Sequence, residues 1–194
     1  MTIESLLDND KVPFREFVNP GATDEDLDEL ADVFGAPIDE QFIKLYKAAD
    51  GESFESPGLF FGLEWMPLQD VISEVEFNQE EEEEISVDVQ PPGAIKEEYY
   101  YAHWLPFATD GSGNFLAIDM DPGETGKKGQ VISYGSDLDT FYVVADSLND
   151  FLGFIQKTID SGNFNQEEDN RFNYGDDQVI FIDQLEDMDL PLKG

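Results

Sequence analysis

Between Trp104 and Tyr134 the chain has little freedom in what it can become. In Asn114-Phe115-Leu116-Ala117-Ile118-Asp119, Phe115 and Ala117 fall on one side of an extended backbone, and Leu116 and Ile118 fall on the other. Apolar groups on both faces of so short a run need cover on both sides, which makes it an inner strand of a sheet. Asp110-Gly111-Ser112-Gly113 ahead of it has the composition of a tight turn. The glycine-rich stretch Asp121 to Gly129 then links it to Val131-Ile132, the start of the next strand. This β-β unit forms the middle of one sheet, with the remaining segments packed against it.

A Gly-Ser-Gly turn can imitate a phosphate cradle. Here it joins two strands, so the helix N-terminus that would hold a phosphate is missing, and Asp110 would repel the anion. The stretch reads as a turn.

A sheet covered on both faces needs a large core. Of 194 residues, 40% are hydrophobic, among them 16 Phe, 7 Tyr and 2 Trp, enough for one domain of ordinary size. Against this stands a formal charge of −35, from 45 acidic and 10 basic side chains. That balance argues against nucleic-acid partners, whose phosphates are held by Lys and Arg, and against anionic membrane surfaces. It suits a field that steers a basic protein partner into contact, as well as simple solubility. Cysteine is absent and histidine occurs once, which removes thiolate chemistry, disulfides and paired-histidine metal sites within one chain. No apolar run is long enough to span a bilayer and the N-terminus carries no basic region, so the expectation is a soluble, cytoplasmic protein.

Along the chain, residues 1–21 read as a loosely attached arm in which Leu6, Leu7, Phe14, Phe17 and Val18 are able to dock. Residues 22–162 form the domain. Its first helix is capped by Thr23, with Asp26 as the reciprocal cap, and buries Leu27, Leu30 and Phe34. A second helix opens at Pro37-Ile38-Asp39-Glu40 and buries Phe42, Leu45 and Tyr46; the short link predicts that the two lie side by side. A short strand followed by an irregular turn is expected within Pro57 to Leu68, then a helix over Leu68 to Val75 and an edge strand at Val87 to Gln90, with the solvated acidic run Glu80 to Glu84 between the last two. Thr140 to Ala145 is a strand, and Ser147 caps a helix over Leu148 to Ile159. Residues 163–194 read as an appendage wrapped on the domain, with Val179 to Ile182 as a strand or apolar hook.

Chemistry is thinly marked. Asp119 and Asp121 share a strand face and precede Glu124, a loose oxygen set for a divalent ion, but the spacing matches no ordered calcium loop. His103 beside Trp104 reads as structural, and no serine sits in a nucleophile elbow. Lys96 stands out among so few cations and is expected beside Glu97-Glu98. Tyr99, Tyr100, Tyr101 and Trp104 form an aromatic cluster, half core and half rim. Neither an enzyme nor a cofactor or metal is called for.

Taken together, several stretches resemble the SUKH superfamily, which contains the fungal Smi/Knr regulators of cell-wall synthesis and many bacterial immunity proteins. The matching residues are Leu27, Leu30, Pro37, Phe42, Leu45 and Tyr46; Asp50-Gly51; Gly62-Leu63; Trp104 to Ala108; Asp110-Gly111; Gly113 to Asp119; Gly129-Gln130-Val131; and Ser147, Leu148, Phe151 and Leu152. The resemblance covers Ala22 to Ile159. It implies an α+β fold with a central mixed, largely antiparallel sheet and helices packed against it, no catalysis, and a role in holding another protein. The short chain without low-complexity tails looks more like the bacterial type. The leading expectation is therefore an immunity protein that neutralises a basic toxin domain, such as a nuclease, and the alternative is a Smi/Knr-like regulator or scaffold without a toxin. The partner-binding residues expected on the leading reading are Glu64, Trp65, Lys96, Tyr99, Asp110, Asp119, Asp121 and Glu124.

Overall fold

The computed structural model describes residues 3–53, 58–81, 87–166, 172–175 and 179–194. Its chain begins with a short helix α1 (Ile3–Leu7) and a 3-10 turn (Phe14–Glu16). The docking expected of this segment is real: Leu6, Leu7 and Phe14 are buried in the main core. Lys11 adds a polar tie, its ammonium donating to the carbonyls of Ile159 and Asp160 at the far end of the chain's last long helix. Carbonyls of the last turn lack i+4 partners, that of Ile159 taking the Gly162 N–H instead, and they carry the negative end of the helix dipole, which favours a cation.

Helix α2 (Asp24–Phe34) starts as its sequence requires. The Thr23 hydroxyl accepts the Asp26 N–H at 3.2 Å, and the Asp26 carboxylate accepts the Thr23 N–H at 2.8 Å. Helix α3 (Glu40–Ala48) begins later than Pro37, because the Asp39 carboxylate accepts the N–H groups of Gln41 (2.7 Å) and Phe42 (3.2 Å) and so sets the cap. The two helices are not each other's main partners. Helix α2 packs chiefly on α4 (Leu68–Glu80), and α3 on α1 and α5 (Leu148–Ser161). Each apolar stripe finds its own neighbour once the link containing Pro37 turns the chain. Helix α4 runs to Glu80, more than a turn beyond Val75, where the sequence pattern alone ends it, and buries Asn78. Of the acidic run, Glu80 and Glu81 are exposed, and the rest falls outside the described residues.

The six-stranded sheet contains β1 (Glu64–Trp65), β2 (Asp88–Gln90), β3 (Trp104–Thr109), β4 (Asn114–Asp119), β5 (Gln130–Gly135) and β6 (Thr140–Ala145) in the order β1-β3-β4-β5-β6-β2. Every pairing is antiparallel except that of β2 with β6. The fold is α+β with a mixed, largely antiparallel sheet, as the resemblance implied, and β4 is the inner strand its two-sided pattern demanded. Leu116 and Ile118 point into the core under the helices, with Leu105, Phe107 and Val131. Ala117 points the other way, beside Trp104, Ile132, Tyr134 and Phe141, under a cover made by Val89, Ala94, Ile95 and Tyr101. Each large side chain so buried stabilises by roughly 1.5–3 kcal/mol.

Beyond α5, strands β7 (Phe164–Gln166) and β8 (Phe172–Tyr174) pair, and a 3-10 stretch (Phe181–Asp187) sends Phe181, Ile182 and Leu185 into the main core. Val179 to Ile182 is thus a hook rather than a strand. The Leu192 N–H donates to the Val144 carbonyl at 2.7 Å, which lays the end of the chain along β6.

Candidate protein-binding site

The eight expected contact residues lie at different ends of the sheet. Glu64 and Trp65 sit on β1, which pairs with β3 so that Glu64 faces Thr109 and Trp65 faces Ala108. Strand alternation turns Glu64 outward and Trp65 inward. Trp65 is 1% exposed, packed against the rings of Tyr46 and Phe60, so it is a core residue and no contact. Glu64 stays at the surface, its carboxyl raised by partial desolvation and by nearby Asp70.

Asp110 fills the turn it opens. Its carboxylate accepts the N–H groups of Ser112 (2.7 Å) and Asn114 (3.2 Å), together with the Ser112 hydroxyl and the Asn114 amide. A carboxylate therefore takes up the donors that a phosphate would have needed, and the stretch is a turn in structure as in sequence.

Most of the remaining residues gather at the opposite end of β4. Asp119 is 0% exposed. One of its oxygens accepts the Asp121 N–H at 3.1 Å, and the other accepts the Gln130 amide at 3.0 Å. Burial pushes its carboxyl up to about 7, against those two hydrogen bonds, which favour the charged form. Gln130 also donates to the Ala94 carbonyl (2.9 Å) and accepts the Lys127 N–H (2.9 Å). The Asp119–Gln130 pair therefore fastens both ends of the 121–129 loop and the segment over it. Two small residues let that segment come close: a Cβ on Gly123 or Gly126 would strike the carbonyl of Gly93 or Ala94 at 2.3 and 2.1 Å. An expectation that Asp119 meets a partner fails, because a carboxylate so enclosed serves the loop.

Asp121, two residues on, is outside. Its carboxylate accepts the Tyr101 hydroxyl at 2.5 Å and the Lys96 ammonium at 3.0 Å. The Tyr101 hydrogen bond, then Lys96, hold its carboxyl below the usual range. Lys96 also reaches the Tyr101 hydroxyl (3.2 Å) and lies 5.2 Å from its ring centre. Lys96 thus pairs with Asp121, 25 positions away along the chain. Glu124 is exposed on the loop beyond.

The aromatic cluster divides as its sequence suggests. Trp104 and Tyr101 are 0% and 8% exposed, while Tyr99 and Tyr100 are half-buried at the rim, Tyr100 edge-on to Phe77 at 4.9 Å. The Tyr99 hydroxyl donates to the Ser136 carbonyl at 2.9 Å. His103 is exposed, its ring edge-on to those of Tyr101 and Phe34. Among the described residues, no three His, Asp or Glu side chains converge as metal ligands would.

Sequence reasoning gives Gln130 no role and misses Phe77. A donor opposite Asp119 is what a buried carboxylate requires, but the pairing that supplies it appears only with the β4–β5 register. The scarce cations are equally informative. Arg15 binds Asp8, Lys47 binds Asp24, and both Lys127 and Lys193 bind Asp146. With Lys11 and Lys96 counted, six of the ten basic side chains tie the fold to itself.

Comparison with known proteins places this architecture. Residues 21–153 match the model of the SMI1 / KNR4 family (SUKH-1), a stretch that runs from the start of α2 into α5. The chain is 35% identical over 95 residues to the cell wall assembly regulator SMI1 of Saccharomyces cerevisiae, covering 48% of this chain and 19% of that protein. It is 42% identical over 100 residues to the cell wall biosynthesis/cell cycle regulator smi1 of Schizosaccharomyces pombe, covering 49% and 20%. A KNR4/SMI1 homolog of Debaryomyces hansenii aligns more broadly, 28% identical over 213 positions, covering 87% of this chain and 36% of the relative. The matched parts make up about a fifth of the first two relatives, both of which are much longer proteins. With a helix-flanked sheet of the expected kind and a family match over residues 21–153, the chain belongs to the SMI1 / KNR4 family (SUKH-1).

Proposed function

We propose that this chain is a regulatory protein-binding module, without catalysis of its own, that acts in the cytoplasm in the control of cell-wall synthesis. The observation that carries this reading is the family match together with the relatives' names, which describe regulators of cell-wall assembly and, in Neurospora crassa, of glucan synthesis. The arrangement around Asp119 and Asp121 agrees with it. Those side chains are satisfied by one another and by Gln130, Tyr101 and Lys96, which suits a scaffold and leaves no poised acid–base pair. The immunity-type reading preferred on sequence draws no support from these relatives, which are fungal regulators. Both readings share a basic protein partner, attracted by the −35 charge and held with strong salt sensitivity.

The test is a chimera. The segment of the Saccharomyces cerevisiae regulator that aligns here is replaced by the full 194-residue chain, and cells carrying only the chimera are scored for wall integrity under a wall-perturbing dye. Growth restored to the level of the intact regulator is the expected outcome. A chimera that accumulates normally yet behaves like the deletion would sink the proposal.

A further inference from the structure

The outer edge of β6 is covered twice, and the two covers do not meet. Strand β2 pairs with it from Thr140 to Tyr142, and Leu192 joins it at Ala145. At the break between them a cleft of about 720 Å3 opens, with β2 on one bank and residues 185–191 on the other. That volume lies within the roughly 300–1,000 Å3 of clefts that enclose ligands. Tyr142, Val143 and Leu190 contribute apolar groups to its lining. Its rim carries Asp88, Glu186 and Asp189, all exposed, and among the described residues no lysine or arginine lines it. Among those residues, too, none of these three acids pairs with a cation, although the acids at Asp121 and Asp146 do.

We propose that this cleft receives an extended basic segment of a partner protein, one apolar side chain resting on Tyr142, Val143 and Leu190 and flanking Lys or Arg side chains meeting Asp88, Glu186 and Asp189. The charge complementarity selects the occupant. A nucleic acid or an acidic ligand is repelled by the rim, and a second copy of a chain with a charge of −35 is repelled as a whole. An extended backbone suits an opening beside a sheet edge whose cover is interrupted between β2 and Leu192. The proposal rests on the reading of the chain as a protein-binding module and names the class of segment it would hold.

The experiment uses the full chain and a fluorescent short peptide of Lys and Arg around one central Leu, followed by anisotropy at about 0.15 M ionic strength, where charges more than about 8 Å apart are largely screened. Three proteins are compared: the intact chain, the rim variant Asp88→Asn/Glu186→Gln/Asp189→Asn, and the control Asp28→Asn/Glu29→Gln/Asp32→Asn, which removes equal charge from an exposed face of α2. The rim variant is expected to weaken binding by about tenfold, the control by no more than about twofold, since rim charges act locally while distant ones are screened. Replacing the central Leu of the peptide by Gly is expected to weaken binding to the intact chain by about fivefold, through loss of that apolar contact. Hydrogen exchange is expected to slow at 88–91 and 185–191 when the peptide is bound. Equal weakening by rim and control variants, or protection elsewhere, would reduce the effect to general ionic attraction and overturn the proposal. So would failure of the peptide to bind. A chimera that restores wall integrity while the peptide fails separates the loss of this proposal from the loss of the regulatory reading.

Discussion

Two acidic regions of this molecule use the same side chain for opposite ends. Around Asp119 and Asp121, each carboxylate is answered by a group fixed elsewhere in the fold: Gln130 for one, Tyr101 and Lys96 for the other. In the cleft beside β6, Asp88, Glu186 and Asp189 face an opening that no cation lines among the described residues. The contrast gives a rule for a chain this anionic. An acid that the fold satisfies belongs to the architecture, and one that the fold leaves facing a concavity is available to a partner. Counting acids, or finding them close in sequence, does not tell the two apart.

The contrast breaks most visibly with pH. The folded state holds the Asp119 carboxyl at about 7, against 3.8 for an ordinary Asp, so between those values the native protein binds more protons than the unfolded chain. Its contribution to stability is complete below the lower value and is lost as pH rises through the upper one. Asp119→Asn removes that dependence while shifting the curve by a constant for its altered hydrogen bond to Gln130. Wild type is therefore expected to lose about 4 kcal/mol relative to this variant between pH 4 and 8, read by urea unfolding, since each pH unit separating the folded and unfolded titrations is worth about 1.4 kcal/mol. Parallel pH curves for the two proteins would mean that Asp119 is solvated and the region is not closed.

Gln130→Ala comes next. It strips a buried carboxylate and the Ala94 carbonyl of their donor, and the expected loss above pH 7 is about 3 kcal/mol in chemical denaturation. The loss should shrink in mild acid, where Asp119 is protonated. Lys96→Met is milder. The ion pair with Asp121 is half exposed, its two side chains 37% and 50% accessible, and breaking it should cost at most about 1 kcal/mol. Smallest is the triple rim variant Asp88→Asn/Glu186→Gln/Asp189→Asn. Because nothing in the described fold answers those acids, thermal unfolding should show a change within about 0.5 kcal/mol, even as peptide affinity falls. A large destabilisation there would move the cleft into the same class as Asp119.

What the sequence makes legible is local or periodic. The two-sided pattern of Phe115 to Ile118 places β4 inside the sheet, and the Thr23–Asp26 and Ser147 caps place two helix starts. Errors arise where a residue's fate depends on a distant one. Trp65, next to Met66-Pro67, looks like an exposed anchor because β1 is two residues long and its partner β3 lies some forty positions on. Sequence proximity suggests only Glu97-Glu98 for Lys96, and its pairing with Asp121 appears once the chain folds back. The cleft is invisible altogether. Its banks come from Asp88 to Pro91, Thr140 to Val143 and Leu185 to Pro191, and no window of sequence holds them together.

The two banks of that cleft also stand differently to the family match. One bank and strand β6 fall within the stretch matched by the family model, which ends at residue 153, while the opposite bank is contributed by 185–191. If the cleft holds a basic segment as proposed, substitutions confined to 185–191 should alter what it accepts while leaving the β3–β6 meander intact, so that grip and framework can be varied separately.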